Sequence, residues 1–325
     1  MAKYLITGGA GFIGSHLAEA LLAAGHEAWI VDDLSTGSIT NIDHLRDRPG
    51  FHYVIDTIMN ERLMAELIDR VDGVFHLAAA VGVKLIFDNP VDTIQTNIRG
   101  TEIVLALAAR KSRKVQIASS SEVYGKGARV PFSEEDDLLL GPSTCPRWSY
   151  ACSKLIDEYL ALAYWRERQM PTVVTRFFNT VGPRQTGTYG MVIPRFVTQA
   201  LRGEPLTVHG NGRQRRCFAH VRDVVRALIA LMQNDAANGR VFNVGNPEEI
   251  SIGDLARLVI EKTGSRSEIR LVPYEEAYGP DFEDLERRVP DTTRLASVID
   301  WSCLATLDEI LDDVIDDTRR RLGIA

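Results

Sequence analysis

Residues 3–14 read KYLITGGAGFIG, a short apolar run that leads into closely spaced glycines. The β-branched run predicts a strand, and apolar residues at helical spacing over 12–24 predict a helix directly after it. Glycines at such a junction allow a tight turn and let the backbone approach a pyrophosphate, whose charge meets the helix N-terminus. The stretch therefore predicts a dinucleotide-binding loop. The expected cofactor contacts in it are Gly8, Gly11, Phe12, Ile13 and Gly14.

Strand-like and helical segments alternate through the first two-thirds of the chain. Short β-branched runs predict strands at 3–7, 27–31, 52–55, 73–77, 115–118 and 172–176. Apolar residues at helical spacing predict helices at 12–24, 92–109 and 148–168. This alternation is typical of an α/β fold with a Rossmann-type, doubly wound parallel sheet and helices on both faces.

The pattern changes beyond residue 178, where Gly and Pro cluster at 182–183, 187–194 and 203–212. Such a break predicts a cofactor-binding domain over 1–178 and a smaller, mainly substrate-binding lobe over 179–325. The strand-like run at 241–244 could return to the main sheet, so parts of the second region are expected to pack with the first.

Acidic residues at the ends of predicted strands are candidates for the nucleoside end of the cofactor. Asp32 lies twenty-one residues after Gly11, where a carboxylate can accept hydrogen bonds from the adenosine ribose. No arginine follows it to hold a 2′-phosphate, so NAD is favoured over NADP. We also include Asp33, and Asp56, which could hydrogen-bond the adenine amino group. The alternative is that Asp32-Asp33 and Asp56 are ordinary carboxylates at the ends of strands.

Composition and charge exclude several classes of partner. With 325 residues and a formal net charge of -7, the chain is not expected to bind nucleic acid or an anionic membrane. No run approaches the roughly 20 apolar residues of a membrane span. The four cysteines form no C-x-x-C pair, and no metal site is expected. A cytoplasmic location with reduced thiols is the expectation from these features.

The stretch Ser149-Tyr150-Ala151-Cys152-Ser153-Lys154 places a phenol and an amine about one helical turn apart. A nearby ammonium favours the phenolate, and a bound nicotinamide cation would favour it further. Tyr150 could then act as a base in alcohol/ketone chemistry. The alternative is that Tyr150 packs in the core and Lys154 lies on the helix surface.

Ordered motifs along nearly the whole chain resemble the extended short-chain dehydrogenases/reductases, specifically the nucleotide-sugar epimerases, decarboxylases and dehydratases. Beyond the glycine loop and the Tyr150/Lys154 pair, the resemblance rests on residues 76–79, 97–101, 119–125, 176–179, 182–184, 210–218 and 288–291. The resemblance implies that Ser120 completes a catalytic set with Tyr150 and Lys154. It also implies that NAD is tightly bound and regenerated in each turnover, and that Leu77, Ala78 and Ala79 contact it.

The same resemblance implies a nucleoside diphosphate in the second lobe. Asn179 matches a position that contacts the sugar and diphosphate, while Arg216 and Arg288 match phosphate-facing arginines. The run 206–210 resembles the strand that recognises the nucleobase, usually uracil, and Val208 is the expected contact there. Ser121 is a further expected substrate contact. Arg216 could instead belong to a solvated basic loop, as is expected of its neighbours at 213 and 215.

The fate of a 4-keto sugar depends on the residues around it. Family dehydratases carry Asp-Glu where this chain has Ser121-Glu122, so 4,6-dehydration is disfavoured. Glu122 with Arg288-Val289-Pro290-Asp291 resembles the UDP-glucuronate decarboxylases, and we include Glu122 among the catalytic residues. The run 185–195 instead resembles an epimerase-like branch, in which Thr186, Thr188 and Arg195 could clamp a carboxylate, unless it is an ordinary loop.

We therefore expect a UDP-sugar 4-epimerase. Its first expected substrate pair is UDP-glucuronate and UDP-galacturonate, and its second is UDP-glucose and UDP-galactose. The alternative is a UDP-glucuronate decarboxylase that forms UDP-xylose. Two further alternatives are more remote. A 4,6-dehydratase is disfavoured by Ser121-Glu122, and a catalytically silent NAD-sensing protein would not need Ser120, Tyr150 and Lys154. The resemblance also implies a homodimer with a four-helix interface built from helices 92–109 and 148–168, whose apolar faces could equally be intramolecular core.

Overall fold

A computed structural model describes residues 1–80, 90–127, 129–187, 191–278 and 285–324. Within these residues, seven strands form one parallel sheet in the order β11-β6-β5-β4-β1-β2-β3. Its strands are β1 Lys3–Thr7, β2 Glu27–Asp32, β3 Phe51–Ile55, β4 Gly73–His76, β5 Lys114–Ser120, β6 Thr172–Phe177 and β11 Arg240–Val244. The strand order reverses between β1 and β4, and ligands of such sheets bind at that point, outside the carboxyl ends of the strands.

Helices cover both faces of this sheet, and further helices lie in the second half of the chain. In chain order they are α1 Phe12–Ala23, α2 Glu61–Asp69, α3 Pro90–Ala109, α4 Arg147–Arg168, α5 Val192–Arg202, α6 Val221–Gln233, α7 Ile252–Thr263, α8 Tyr274–Tyr278, α9 Thr293–Ile299 and α10 Leu307–Leu322. Short 3₁₀ turns occur at Ile39–Asn41, Asp43–Leu45, Ser121–Tyr124 and Asp235–Ala237. The predicted α/β fold is confirmed, and the predicted strands and helices end within about two residues of the observed ones.

Successive side chains of β1 enter two different cores, one on each face of the sheet. Ile6 is fully buried among residues of α1 and α6 on one face of the sheet. Its neighbour Leu5 is fully buried on the opposite face, in the core that α2, α3 and α4 cover. Successive strand residues point to opposite faces, so a continuous apolar run is what a sheet buried on both sides requires.

The run predicted to return to the main sheet does so. Strand β11 pairs in parallel with β6, with Val241 opposite Val174. Helix α6 precedes it and packs against α1. Residues 221–244 therefore belong structurally with the cofactor-binding sheet, although they lie beyond residue 178.

A separate core lies in the second half of the chain. It joins α5, α7 and α10 to strand β8 Leu206–His209, which pairs with β13 Ile269–Val272. A small sheet of β12 Glu249–Ser251, β9 Arg215–Cys217 and β14 Arg287–Arg288 lies in the same region. The remaining strands are β7 Thr180–Val181 and β10 Ala219–His220, which pair with each other. We infer a substrate lobe made of residues after 178, interrupted by two segments that pack with the main sheet: 221–244, and α9, which packs against β11 and α6.

None of the helices in the described part of the chain is long and apolar enough to cross a membrane.

Candidate active site

A cavity of about 1240 Å³ lies at the carboxyl edge of the sheet, between the glycine loop and the second lobe. Nearly all the residues proposed from the sequence line it. They are Gly8, Gly11, Phe12, Ile13, Gly14, Asp32, Asp33, Asp56, Leu77, Ala78, Ala79, Ser120, Ser121, Glu122, Tyr150, Lys154, Asn179, Thr186, Arg195, Arg216 and Arg288. The fold therefore gathers segments that are far apart in the sequence around one space.

The glycine loop has room for backbone only. Gly8 has a φ of +71°, in the left-handed region, and a Cβ there would lie 2.9 Å from the Ala78 nitrogen. A Cβ on Gly14 would lie 2.3 Å from the Gly8 carbonyl oxygen. The loop thus brings bare backbone to the start of α1, which is the cradle that a dinucleotide pyrophosphate requires.

Asp32 both faces the cavity and fixes the loop. Its carboxylate accepts hydrogen bonds from the backbone N–H groups of Ala10, at 2.9 Å, and Leu34, at 2.8 Å. Burial raises the pKa of this carboxyl above its usual value. Asp56 accepts from the Thr57 N–H and the Asn60 amide, as an ordinary carboxylate at a strand end would. The ribose and adenine contacts of these residues stay predictions.

Ser120 and Tyr150 meet where β5 ends beside the first turn of α4. Ser120 is the last residue of β5, and its hydroxyl accepts a hydrogen bond from the Glu122 N–H at 3.2 Å. The phenol of Tyr150 lies beside this hydroxyl, and Tyr150 is 7% exposed. Contrary to the expectation from Lys154, the pKa of Tyr150 is raised above its usual value by burial, by Glu122 and by Asp157.

Lys154 is not a surface lysine, because only 2% of its side chain is exposed. Its ammonium donates to the Asp157 carboxylate at 2.8 Å, so the expected influence of Lys154 on the phenol is offset by a neighbouring anion. The core alternative for Tyr150 and the surface alternative for Lys154 do not describe this structure, since both side chains line the cavity.

Glu122 lies between two arginines. Its Oε1 is 2.6 Å from Arg288 Nη1, and its Oε2 is 3.2 Å from Arg147 Nη2. Burial raises the pKa of this carboxyl, but Arg288 and Arg147 outweigh burial and hold that pKa at about 2. Glu122 is therefore ionised at neutral pH, and the stability that its ion pairs contribute is lost as the pH falls from about 4.5 towards 2.

Arg147 was missed in the sequence. It is the first residue of α4 and lies three positions before Tyr150, which places both side chains on neighbouring turns of one helix. That spacing was the available signal. Ser121 was identified, and its hydroxyl lies 3.4 Å from Arg288 Nη1. The structure thus brings together Ser121, Glu122 and Arg288, three of the residues proposed from the sequence, and adds Arg147 to them.

The second lobe corrects one substrate residue. Val208 is fully buried in the lobe core, because alternate residues of β8 point inward. The next residue, His209, lines the cavity instead. Arg195 lies against the same strand: its Nη2 donates to the Thr207 carbonyl at 3.0 Å, and its Nη1 is 3.2 Å from the His209 ring.

Other predicted substrate residues have defined positions. The Asn179 amide donates to the Cys217 carbonyl at 2.9 Å, which fastens the end of β6 to β9. Arg216 is 7% exposed and donates to the Arg215 carbonyl at 2.8 Å, so it is not part of a solvated loop. Thr186 lines the cavity, and Thr188 lies outside the described residues.

Comparison with known proteins identifies the family. The family model described as GDP-mannose 4,6 dehydratase matches residues 5–314. The chain belongs to this family. A UDP-N-acetyl-alpha-D-glucosaminuronate decarboxylase of Bacillus cytotoxicus is 42% identical over 314 residues, covering 96% of each chain. UDP-glucuronic acid decarboxylase 1 of Xenopus tropicalis is 37% identical over 98% of this chain and 73% of its own length.

Solved structures of family members share the fold. The UDP-glucose 4-epimerase of Thermotoga maritima superposes with a TM-score of 0.89 at 28% identity, over 98% of this chain and 99% of the other. The UDP-glucuronic acid 4-epimerase of Bacillus cereus, solved with UDP-glucuronic acid and NAD, has a TM-score of 0.89 at 26% identity with the same coverage. The predicted family is confirmed, and NAD as cofactor is confirmed at the level of the family.

The glycine loop allows a direct test of cofactor binding. We expect Gly14→Ala to weaken NAD binding about tenfold or more, because the new methyl group would meet backbone atoms of Gly8 that cannot move independently. Isothermal titration with NAD measures the effect. Gly25→Asn is the control, since nothing lies within 4 Å of a Cβ there and Asn tolerates its positive φ. Equal affinity of the two variants would contradict this role of the loop.

Proposed function

We propose that the protein is an NAD-dependent UDP-hexuronate decarboxylase. The observation that carries this proposal is the Glu122–Arg288 ion pair beside Ser120 and Tyr150. It replaces the expected 4-epimerase as the first interpretation, and that epimerase becomes the second candidate. Two decarboxylases that are 42% and 37% identical over nearly the whole chain support the change, whereas the epimerase structures are 28% and 26% identical.

The first step needs a base and a hydrogen-bond donor at the sugar C4 oxygen. The proposal assigns these roles to Tyr150, which would take the 4-hydroxyl proton, and to Ser120, which would hold the oxygen. Bound NAD supplies the hydride acceptor for C4 and returns the hydride at the end of the cycle. Burial of the phenol excludes bulk water from this proton transfer.

The charge around C5, the carbon that carries the carboxylate, then favours loss of carbon dioxide. A 4-ketouronate is a β-keto acid, and an epimerase acting on it must hold its carboxylate firmly. Here Arg288 and Arg147 are already paired with Glu122, so they are poorly suited to stabilise a second carboxylate. An ionised Glu122 nearby disfavours the charged carboxylate relative to neutral carbon dioxide, which lowers the barrier between them.

Two further positions agree with this assignment. Arg195, the expected carboxylate clamp of an epimerase, is engaged with Thr207 and His209 on β8. Because the pKa of Glu122 is about 2, this carboxylate is not a proton donor near neutral pH and acts through its charge. When carbon dioxide leaves, the electrons of the broken C5–C6 bond move to the C4 oxygen, where Ser120 and Tyr150 stabilise the enolate. A solvent proton added at C5 restores the 4-ketone, and return of the hydride to C4 and of the Tyr150 proton to the C4 oxygen gives the UDP-pentose.

The product identifies the reaction. We expect purified protein incubated with UDP-glucuronate, or in parallel with its 2-acetamido analogue, to form the UDP-pentose without consuming added NAD. Proton NMR follows the C1 and C5 signals of substrate and product. UDP-galacturonate with its carboxylate retained would instead establish the epimerase. If neither nucleotide sugar changes although NAD binds, the chain is a sensor and the proposal fails.

Replacing Glu122 separates decarboxylation from oxidation. In Glu122→Gln, Arg288 and Arg147 lose their counter-ion and can bind the substrate carboxylate. We expect carbon dioxide release to fall about a hundredfold, while C4 oxidation continues and reduced nicotinamide accumulates, as its absorbance shows.

Tyr150→Phe should stop oxidation itself and leave NAD bound. Glu135→Gln, at an exposed carboxylate, is the control. Undiminished carbon dioxide release by Glu122→Gln would contradict the proposal.

We also propose a homodimer that pairs α3 and α4 with their counterparts. These two helices pack side by side and expose large apolar side chains: Val91 is 63% exposed, Ile94 37%, Ile156 46% and Tyr159 65%. Large exposed apolar side chains on a pair of packed helices are typical of a protein interface.

Light scattering after size exclusion tests the dimer. We expect Tyr159→Arg to elute as a monomer, because it places a charge within the apolar patch. Leu271→Arg, at a residue that is 59% exposed on β13, is the matched control and should stay dimeric. A monomeric wild-type protein, or a dimer unaffected by Tyr159→Arg, would exclude this interface.

A further inference from the structure

A buried carboxylate that the proposed reaction does not use lies next to the catalytic lysine. Asp157 is three residues after Lys154 on α4, and its Oδ2 accepts from the Lys154 ammonium at 2.8 Å. The two side chains are 0% and 2% exposed. A carboxylate is costly to bury, and an ion pair without access to water repays that cost only where its geometry is well defined.

The pair continues into a chain of buried polar groups. The nearby Thr101 hydroxyl lowers the pKa of the Asp157 carboxyl, although burial outweighs it and the pKa is raised overall. Thr101 Oγ1 is also 3.1 Å from His76 Nε2. His76 Nδ1 lies 2.8 Å from the Thr7 hydroxyl, and that hydroxyl accepts from the Ala78 N–H at 3.1 Å.

The donors of this chain point in one direction. Burial and Lys154 lower the pKa of His76 to about 3, so the ring is neutral and has one donor and one acceptor nitrogen. If Thr7 donates to His76 Nδ1, the Nε2–H of the ring donates to the Thr101 oxygen. Backbone directly after β4 is thereby connected to Thr101, which lies beside the Asp157 carboxylate.

The other charged groups near the pair belong to the catalytic centre or are themselves paired. Tyr150 lies one turn before Lys154 on α4, and Glu122 faces Tyr150 from the turn after β5. Glu158 adjoins Asp157 but is bound by Arg176 of β6. His76 faces Lys154 from β4 and is neutral. Asp157 is therefore the direct counter-ion of Lys154 among the described residues.

We propose that Asp157 is a positioning residue for the oxidation step: it holds the Lys154 ammonium in place and sets the net charge beside Tyr150 and the nicotinamide. Without Asp157, the lysine charge would be uncompensated at a site that must accept the positively charged, oxidised nicotinamide. This inference rests on the C4 oxidation common to both candidate functions and does not depend on the later fate of the ketone.

Cofactor affinity tests the charge without any sugar. We expect Asp157→Asn to raise the ratio of the dissociation constants for NAD and NADH about tenfold, because only the oxidised ring is repelled by the uncompensated ammonium. Asp157→Glu, which keeps the charge, should restore much of the wild-type ratio. Glu167→Gln, at an exposed carboxylate on the same helix, should leave it unchanged.

The pH dependence of hydride transfer gives a second readout. Removing an anion beside Tyr150 lowers the pKa of its phenol, so the base form is available at lower pH. The acid limb of the rate of nicotinamide reduction should therefore move down by about one pH unit in Asp157→Asn. A uniformly slower rate with an unmoved limb, together with equal weakening of NAD and NADH, would show a merely structural role and overturn the proposal.

The role of Asp157 can be tested even if the proposed function fails. If no UDP-hexuronate is oxidised, the proposed function fails, but the affinity ratio still decides the role of Asp157. If Asp157→Asn does not fold, Thr101→Val decides it, because this variant keeps both charges and removes a hydroxyl that favours the charged form of the Asp157 carboxylate. We expect Thr101→Val to change the ratio about twofold in the same direction, and an unchanged ratio would overturn the proposal.

Discussion

A buried ion pair between α4 and β6 holds the proposed catalytic residues in register. Arg176 donates to both oxygens of Glu158, at 2.9 and 2.8 Å, and Ser119 donates to the same carboxylate at 2.5 Å. Glu158 lies one turn after Lys154, and Ser119 directly precedes Ser120. The pair thus fixes the helix that carries the phenol and amine against the strand that carries the hydroxyl. An unpaired charge here would cost about 3–5 kcal/mol, so the arrangement tolerates little displacement.

The sequence allowed the sheet and the cofactor loop to be predicted because their signals are local. Apolar runs, helical spacing and the glycines at 8–14 each report on a few neighbouring residues. The contacts of Glu122 were harder to predict, since Arg288 lies 166 residues away and reaches it only through the packing of the second lobe. The orientation of the Val208 side chain was hard to predict for a simpler reason: strand alternation decides which neighbour's side chain faces the cavity, and the motif alone did not show its phase.

The choice between epimerase and decarboxylase depends on the balance of charge more than on the residues that begin the reaction. Ser120 and Tyr150 serve either outcome. Two arginines that share one glutamate differ chemically from two arginines that await a carboxylate, although the residue types are the same. The structure places Glu122 between Arg147 and Arg288, and this position is the physical basis for preferring loss of carbon dioxide.

The most direct test follows the carboxylate carbon itself. UDP-glucuronate labelled with a stable isotope at that carbon is incubated with the NAD-bound protein, and mass spectrometry measures the label in released carbon dioxide and in the nucleotide sugar. Our account predicts one labelled carbon dioxide for each UDP-sugar converted, with an unlabelled UDP-pentose. Retention of the label in a UDP-hexuronate of altered C4 configuration would contradict it.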